Sequence, residues 1–136
     1  MRARPCHRPL WALTLIVLCF AAGVATAAEP APEEKLIVAG RRVFRWKCSF
    51  CHALDENHTG PRLRDVFGRR AGAVADFRYS PALAGSRQVW DAVTLELWLS
   101  GPARFIPGAR MAAQFPDRSE REAVIAYLRN TSITRG

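Results

Sequence analysis

The chain has 136 residues, which is room for one small domain rather than two. It carries 20 Lys and Arg residues against 12 Asp and Glu, a formal charge of +8. A positive surplus of this size favours acidic protein partners or an anionic membrane surface. The sequence contains no nucleic-acid-binding motif, so we expect no nucleic-acid partner.

The first 27 residues have the pattern of a secretory signal peptide. Three arginines precede an uncharged apolar stretch over residues 10–20, and Ala25-Thr26-Ala27 forms a small-x-small cleavage site. We predict cleavage after Ala27 and export to the bacterial periplasm. The alternative is an uncleaved membrane anchor, because residues 9–28 are uncharged and long enough to span a bilayer.

Removal of the signal leaves few side chains that could bind a cofactor. Two of the four cysteines leave with it, and the formal charge falls from +8 to +5 because three of the 20 basic residues and no acidic ones are lost. A lipid anchor on Cys19 is disfavoured because Leu18 stands where a small residue is needed. The predicted mature chain keeps Cys48, Cys51, His52, His58 and Met111.

The mature chain is predicted to be all-α, with three to four short helices and long loops. After a flexible lead-in over residues 28–32, the domain covers residues 33–136. Helical periodicity predicts helices over residues 33–46, 90–99 and 119–128, with a short helical turn near 63–67. Residues 68–86 and 104–115 are predicted to be irregular.

Two helix ends carry recognisable signals. Gly101-Pro102 should end the second helix, and Ser119 and Glu122 have the spacing of a capping box at the start of the last one. Roughly 109 residues in a few short helices bury little apolar surface, so a chain of this kind needs a cross-link or a cofactor to be stable.

The segment Cys48-Ser49-Phe50-Cys51-His52 supplies such a cofactor site. One helical turn places two sulfurs so that each can bond one vinyl group of a porphyrin. The imidazole of the next residue then points at the iron. C-x-x-C-H is therefore the attachment signature of a covalent haem c, with iron bound by His52.

Two other readings of the cysteine pair are weaker. A thioredoxin-like redox pair requires a βαβ unit, and the sequence shows no strand pattern. A zinc site requires four ligands, and His58 is the only further nitrogen candidate. Haem attachment is therefore the preferred interpretation.

A haem held by His52 needs a sixth ligand or keeps an open face. Met111 is the only methionine of the predicted mature chain and follows Pro107-Gly108 in a loop. A methionine often fills a gap in a core, but this position is not on an apolar helix face. The rival is His58, only six residues after His52 in a polar turn, which we interpret as a solvated surface histidine.

The whole pattern resembles the class I cytochromes c of the mitochondrial and bacterial c2-like kind. The resemblance covers nearly all of residues 33–130 and rests on order and spacing as well as on C-x-x-C-H. The matching positions are Gly40 and Phe44, Gly60-Pro61-x-Leu63, Gly68-Arg69-x-x-Gly72, Phe77-x-Tyr79-Ser80, Trp90, Leu95, Leu99, Pro102, Ile106 to Met111, and Ile125 to Leu128.

The resemblance implies a role for each matching residue. Met111 would be the distal iron ligand, and the carbonyl of Pro61 would accept the second N–H of His52. Tyr79 and Trp90 would donate to a haem propionate, with Arg69 compensating its charge. The residues expected to pack on the porphyrin are Leu63, Trp98 and Leu99. Gly40 would allow the first and last helices to cross closely.

The resemblance implies a single-electron carrier, and not an enzyme with a small-molecule substrate. Its partners would be redox proteins, acidic ones above all, including a membrane-bound oxidase or reductase, and we expect a monomer. The alternatives are a haem subunit of a larger complex, a membrane-tethered carrier, or a gas-binding haem protein without the Met111 ligand.

Two features depart from the family pattern. Trp98 stands where many members have a tyrosine near the methionine sulfur. The family's lysines around the haem edge are largely absent, and the basic residues expected to replace them in docking are Lys47, Arg62, Arg64, Arg104 and Arg110.

Overall fold

A computed structural model describes residues 30–134 of the chain. The predicted signal peptide, with Cys6 and Cys19, lies outside the described residues. Five α-helices and one π-helical turn follow one another: α1 (Pro32–Val43), the π-turn (Phe44–Cys48), α2 (Pro81–Ala84), α3 (Ala92–Ser100), α4 (Pro102–Phe105) and α5 (Arg118–Ile133). The all-α class is confirmed. The structure adds two single-turn helices, α2 and α4, to the predicted set.

The first and last helices cross at Gly40, the only buried residue of α1. A Cβ at this position would lie 1.9 Å from the carbonyl oxygen of Ala123 and 2.8 Å from the Cβ of Tyr127. Only a residue without a side chain allows the two backbones to approach this closely. Beside the crossing, the rings of Phe44 and Tyr127 pack at a centroid distance of 5.4 Å.

The first helix reaches the cysteine motif through the π-turn. Pro32 is the first residue of α1, and Glu33 and Glu34 lie in its first turn. Acidic side chains there interact favourably with the positive end of the helix dipole. The predicted helix over 33–46 is therefore present, but from Phe44 onward it is π-helical instead of α-helical. The amide of Ser49 donates to the carbonyl of Phe44 over 3.0 Å, a five-residue step. Such π-turns are common at functional sites.

The middle of the chain, residues 53–91, is mostly turns. The predicted helical turn at residues 63–67 is wrong: this segment bonds back to the motif loop, with the Leu63 amide 2.9 Å from the Ala53 carbonyl. The predicted irregular stretch 68–86 contains α2, because Ser80 caps it and Pro81 starts it. Between residues 30 and 134, β-pairing is limited to one isolated antiparallel bridge, Arg70 to Val89.

The start and end of α3 follow local chemistry. Asp91 and Thr94 form a reciprocal capping box, so the helix begins two residues later than predicted. It ends at Ser100, as Gly101-Pro102 predicted, but Pro102 at once opens α4. The predicted loop over 104–115 therefore starts with the last residues of a helix.

The last helix, Arg118–Ile133, is longer than the predicted range 119–128. Its N-cap also differs from the predicted one. The carboxylate of Asp117, not Ser119, is the N-cap: it accepts the amide of Ser119 over 2.8 Å. Asp117 wins because an ionised oxygen is the stronger acceptor for the first amides of a helix. Among residues 30–134, no helix has the length and apolarity needed to cross a membrane.

Candidate functional site

One cavity of about 500 Å³ brings the predicted site residues together. All eleven line it: Cys48, Cys51, His52, Pro61, Leu63, Arg69, Tyr79, Trp90, Trp98, Leu99 and Met111. Its walls come from the end of the π-turn, the cysteine motif, the middle loops, α3, the Met111 segment and α5. A concave, mainly apolar space of this size with a few convergent polar groups is typical of a cofactor site.

No disulfide joins Cys48 and Cys51, so both sulfurs are available. The amides of Cys51 and His52 both donate to the Cys48 carbonyl, over 3.1 Å and 2.9 Å, so the motif closes one helical turn. Burial raises the pKa of the Cys48 thiol to about 12, and the neighbouring Cys51 adds to the rise. A thioredoxin-like redox pair needs a βαβ unit. Residues 30–134 contain only one isolated β-bridge, so this interpretation is disfavoured.

The zinc reading also lacks support in the described part of the chain. Between residues 30 and 134, no three His, Cys, Asp or Glu side chains gather in an arrangement that could hold a metal ion. His58 lies away from the cavity, with 47 % of its side chain exposed and its Nε2 4.0 Å from a carboxylate oxygen of Glu56. It is placed as the solvated histidine that the sequence predicted.

The imidazole of His52 is held by main-chain atoms. Its Nδ1 lies 2.7 Å from the carbonyl oxygen of Pro61. A carbonyl can only accept, so Nδ1 carries the proton and Nε2 keeps its lone pair for a metal. Burial lowers the pKa of His52, although the Pro61 hydrogen bond opposes this. The ring is therefore neutral at neutral pH, the form that binds iron.

Gly60 supports the same ring from the other side. A Cβ there would lie 2.2 Å from Cε1 of His52 and within 2.7 Å of both ring nitrogens. The buried glycine is bonded to the motif loop, with its amide 2.7 Å from the carbonyl of Cys51. The Gly60-Pro61 pair therefore confines His52 to one orientation.

A half-buried guanidinium stands at another part of the cavity wall. Arg69 donates to the carbonyls of Arg64 and Arg62, over 3.0 Å and 2.8 Å. Desolvation lowers its pKa, which is the sign of a positive charge whose burial is not fully compensated. Tyr79 and Trp90 line the same cavity, and burial raises the pKa of Tyr79. These groups suit an anionic part of a ligand.

The Met111 side chain is partly buried and packs against the hydrophobic core on the cavity side. Trp98 also lines the cavity, and its ring packs on that of Trp90 at 5.3 Å between centroids.

The positive charge at the cavity differs from the predicted set of docking residues. Arg62 is paired with Asp76, Arg64 with Asp55, and Lys47 with Glu120. Arg104 donates to the Ser100 carbonyl over 3.1 Å. Two exposed arginines, Arg110 and the unpredicted Arg78, line the cavity and form no such pair with any residue between 30 and 134. The position of Arg78 next to Tyr79 was the signal that could have identified it.

A small all-α domain that gathers C-x-x-C-H, a carbonyl-bonded histidine and a methionine around one cavity has the architecture of a class I cytochrome c. The sequence profile of the cytochrome c family matches residues 37–132. Cytochrome c of Nigella damascena is 33% identical over 100 residues, covering 69% of this chain and 88% of that protein. The chain belongs to the cytochrome c family.

A bacterial sequence and a solved structure of the same family are also similar to this chain. Cytochrome c2 of Afifella marina is 36% identical over 101 residues, covering 69% of this chain and 81% of that protein. The solved structure of cytochrome cH from Methylobacterium extorquens superposes with a TM-score of 0.66 at 35% identity, covering 69% of this chain and 97% of that one.

Members of this family are electron carriers, and the group they hold is one covalent haem c with its iron. The site found here fits that group. Two thiols stand one turn apart, a neutral imidazole beside them keeps one nitrogen free, and the walls around them are apolar. Arg69 offers a partly desolvated positive charge to acidic substituents of the ring.

We predict that Gly60→Ala disturbs His52 specifically. The added methyl would overlap the ring, so the free energy of unfolding of the holoprotein should fall by about 2–3 kcal/mol, and the reduction potential should shift. The matched control is Gly68→Ala: Gly68 has φ +82° and nothing within 4 Å of its added Cβ. It should cost only about 1–2 kcal/mol of backbone strain and leave the potential unchanged. Denaturant titration and redox titration measure both quantities. Equal potential shifts in the two variants would contradict this assignment.

Proposed function

We propose that this chain is a single-electron carrier whose haem iron is six-coordinate, with His52 and Met111 as axial ligands and Cys48 and Cys51 as thioether attachments. The observation that carries the proposal is the convergence of these four side chains on one cavity. The bound haem supplies the reversible one-electron couple. A thioether ligand opposite histidine favours the ferrous state and raises the potential.

The residues of the chain orient the ligands and exclude water. Pro61 and Gly60 confine the His52 ring, so its free nitrogen would be presented to the iron in one direction. The apolar walls, among them Leu63, Trp98 and Leu99, keep water from the iron. If His52 and Met111 both bind the iron, they would leave no position for a substrate, as an electron carrier requires.

The second part of the proposal concerns the haem propionates. Arg69 is partly desolvated and donates only to carbonyls among the side-chain hydrogen bonds it makes. Tyr79 and Trp90 stand on the same cavity wall. We assign these three side chains to the charge and hydrogen bonds that buried propionates need.

Replacement of Met111 tests the ligand proposal. Met111→Ala should keep the covalent haem but lose the ferric methionine–iron charge-transfer band. It should also gain binding of carbon monoxide and imidazole. Its reduction potential should fall by on the order of 0.2 V, within the roughly 0.8 V range that axial ligands span. Visible spectra, a pyridine haemochrome assay and redox titration measure these changes.

The rival ligand provides the matched control. His58→Ala removes the exposed imidazole beside Glu56 and should leave band, potential and ligand binding unchanged. If Met111→Ala behaved like the unaltered protein and His58→Ala lost the sixth ligand, His58 and not Met111 would be the axial ligand.

We further propose that redox partners dock where the cavity opens beside Cys51. Trp46 and Phe50, four residues apart at the end of the first helical segment, are 72% and 79% exposed. Large aromatic side chains with neighbouring arginines are typical of binding hot spots. Arg78 and Arg110 add unpaired positive charge at the cavity. An acidic partner with an apolar centre fits this surface.

Charge reversal tests the docking surface. Arg78→Glu and Arg110→Glu should each slow electron transfer to a small acidic one-electron flavoprotein by about tenfold at low salt, because steering charge is lost. The difference should vanish above about 0.5 M salt, where charges are screened. Arg87→Glu makes the same charge change at an exposed residue that does not line the cavity. A loss as large in Arg87→Glu would exclude a localised docking surface.

The final part of the proposal is the processing of the chain: a signal peptide over residues 1–27, a lead-in over 28–32 and the cytochrome domain over 33–136, released into the periplasm. Amino-terminal sequencing of the haem-containing protein should give Ala28 as the first residue. A sequence beginning at Met1 or Arg2, in protein that sediments with membranes, would instead indicate a tethered carrier.

A further inference from the structure

The backbone of the segment that carries Met111 is hydrogen-bonded only at its two ends among the described residues. On one side the amide of Ala109 bonds to the Ile106 carbonyl over 3.1 Å, and on the other the amide of Phe115 bonds to the Leu99 carbonyl over 2.9 Å. Within residues 30–134, the backbone of residues 110–114 makes no hydrogen bond. The path of the backbone at Met111 therefore depends on these two hydrogen bonds.

Arg121 builds the second attachment from outside the cavity. Its NH1 donates to the carbonyl of Phe115 over 2.5 Å and to that of Pro116 over 2.8 Å. Arg121 is only 9% exposed, and Phe115 is 3% exposed. The contact with the Phe115 carbonyl is buried, and a buried acceptor that loses its donor pays the full cost of desolvation. This contact therefore favours a single path for the chain after Met111.

Glu96 on α3 sets the direction of that guanidinium. Its Oε1 accepts both Nε of Arg121 over 2.8 Å and NH2 over 2.7 Å. Its Oε2 is buried and has no hydrogen-bond partner among the described residues. With Nε and NH2 bound to the carboxylate, the rigid planar fork points NH1 at the two carbonyls. One arginine thus joins α3, α5 and the end of the methionine segment.

We propose that Arg121, oriented by Glu96, is a positioning residue that holds the Met111 segment against the haem. Neither side chain lines the cavity, so their effect is exerted through the backbone of Phe115 and Pro116. The inference rests on the proposed function only in taking Met111 as the iron ligand; the anchoring itself is a property of the chain.

The test uses the holoprotein with Arg121→Gln. Hydrogen exchange should accelerate at the Phe115 amide by about tenfold, the effect of losing one to two buried hydrogen bonds. The amides of α1 and of the second half of α5 should change much less. Imidazole, which competes with a loosely held methionine, should bind the ferric protein about tenfold more tightly.

Two variants accompany it. Arg118→Gln removes the solvent-exposed pair with Glu122 from the same helix and should change neither quantity. Glu96→Gln keeps the donors to both carbonyls and should give a smaller change in the same direction, which also covers the case that Arg121→Gln fails to fold.

The outcomes separate the two proposals. Exchange at Phe115 that is no faster than in Arg118→Gln, or that rises equally throughout α1 and α5, would overturn the positioning role. Faster exchange at Phe115 with unchanged imidazole affinity in every variant would support the anchor. It would refute Met111 as the ligand that closes the haem face.

Discussion

The close crossing of the first and last helices at Gly40 is the constraint on which the site depends. Any side chain there would overlap the carbonyl of Ala123, at 1.9 Å. The helices would then separate, at a cost of about 1–3 kcal/mol from overpacking alone. Both walls of the cavity would move with them. One helix leads directly into Cys48, Cys51 and His52. The other contributes Val124 and Leu128 to the cavity and Arg121 to the methionine segment.

The site was predictable from sequence to a large extent because its chemistry demands particular residue types at fixed spacings. Two thioether bonds and one iron ligand require C-x-x-C-H within a single helical turn. Confining the imidazole requires a residue without a side chain followed by a free carbonyl, which Gly60-Pro61 provides. All eleven predicted site residues line one cavity. Their individual roles toward the haem stay predictions, since what the cavity shows is their proximity.

The features that the sequence did not predict depend on tertiary contacts. The π-turn that ends at Cys48 connects α1 to the motif loop. The hydrophobic periodicity of the sequence does not indicate it. A helix begins at a different residue from the predicted one where a stronger acceptor binds its first amides. Asp117 does this at the start of α5, in place of the predicted cap Ser119. The pairing of Arg62 with Asp76, fourteen residues away, removed a charge that looked free in the linear sequence. In the sequence, Arg121 is indistinguishable from a surface arginine of a helix. Its contacts with Glu96 and two main-chain carbonyls exist only in the folded chain.

The two proposed axial ligands share a physical principle. Each is held through main-chain carbonyls: Pro61 accepts from the His52 ring, and the carbonyls of Phe115 and Pro116 accept from Arg121 behind Met111. Carbonyls have no rotamers and are neutral, so these contacts cost little entropy and do not respond to the charge of the iron. A ligand set held in this way needs little rearrangement when one electron arrives or leaves. Flexible charged side chains placed directly on the ligands would reorient at each change of charge. Arg121 acts instead from behind the backbone, and the guanidinium of Arg69 in the cavity wall donates to the main-chain carbonyls of Arg62 and Arg64.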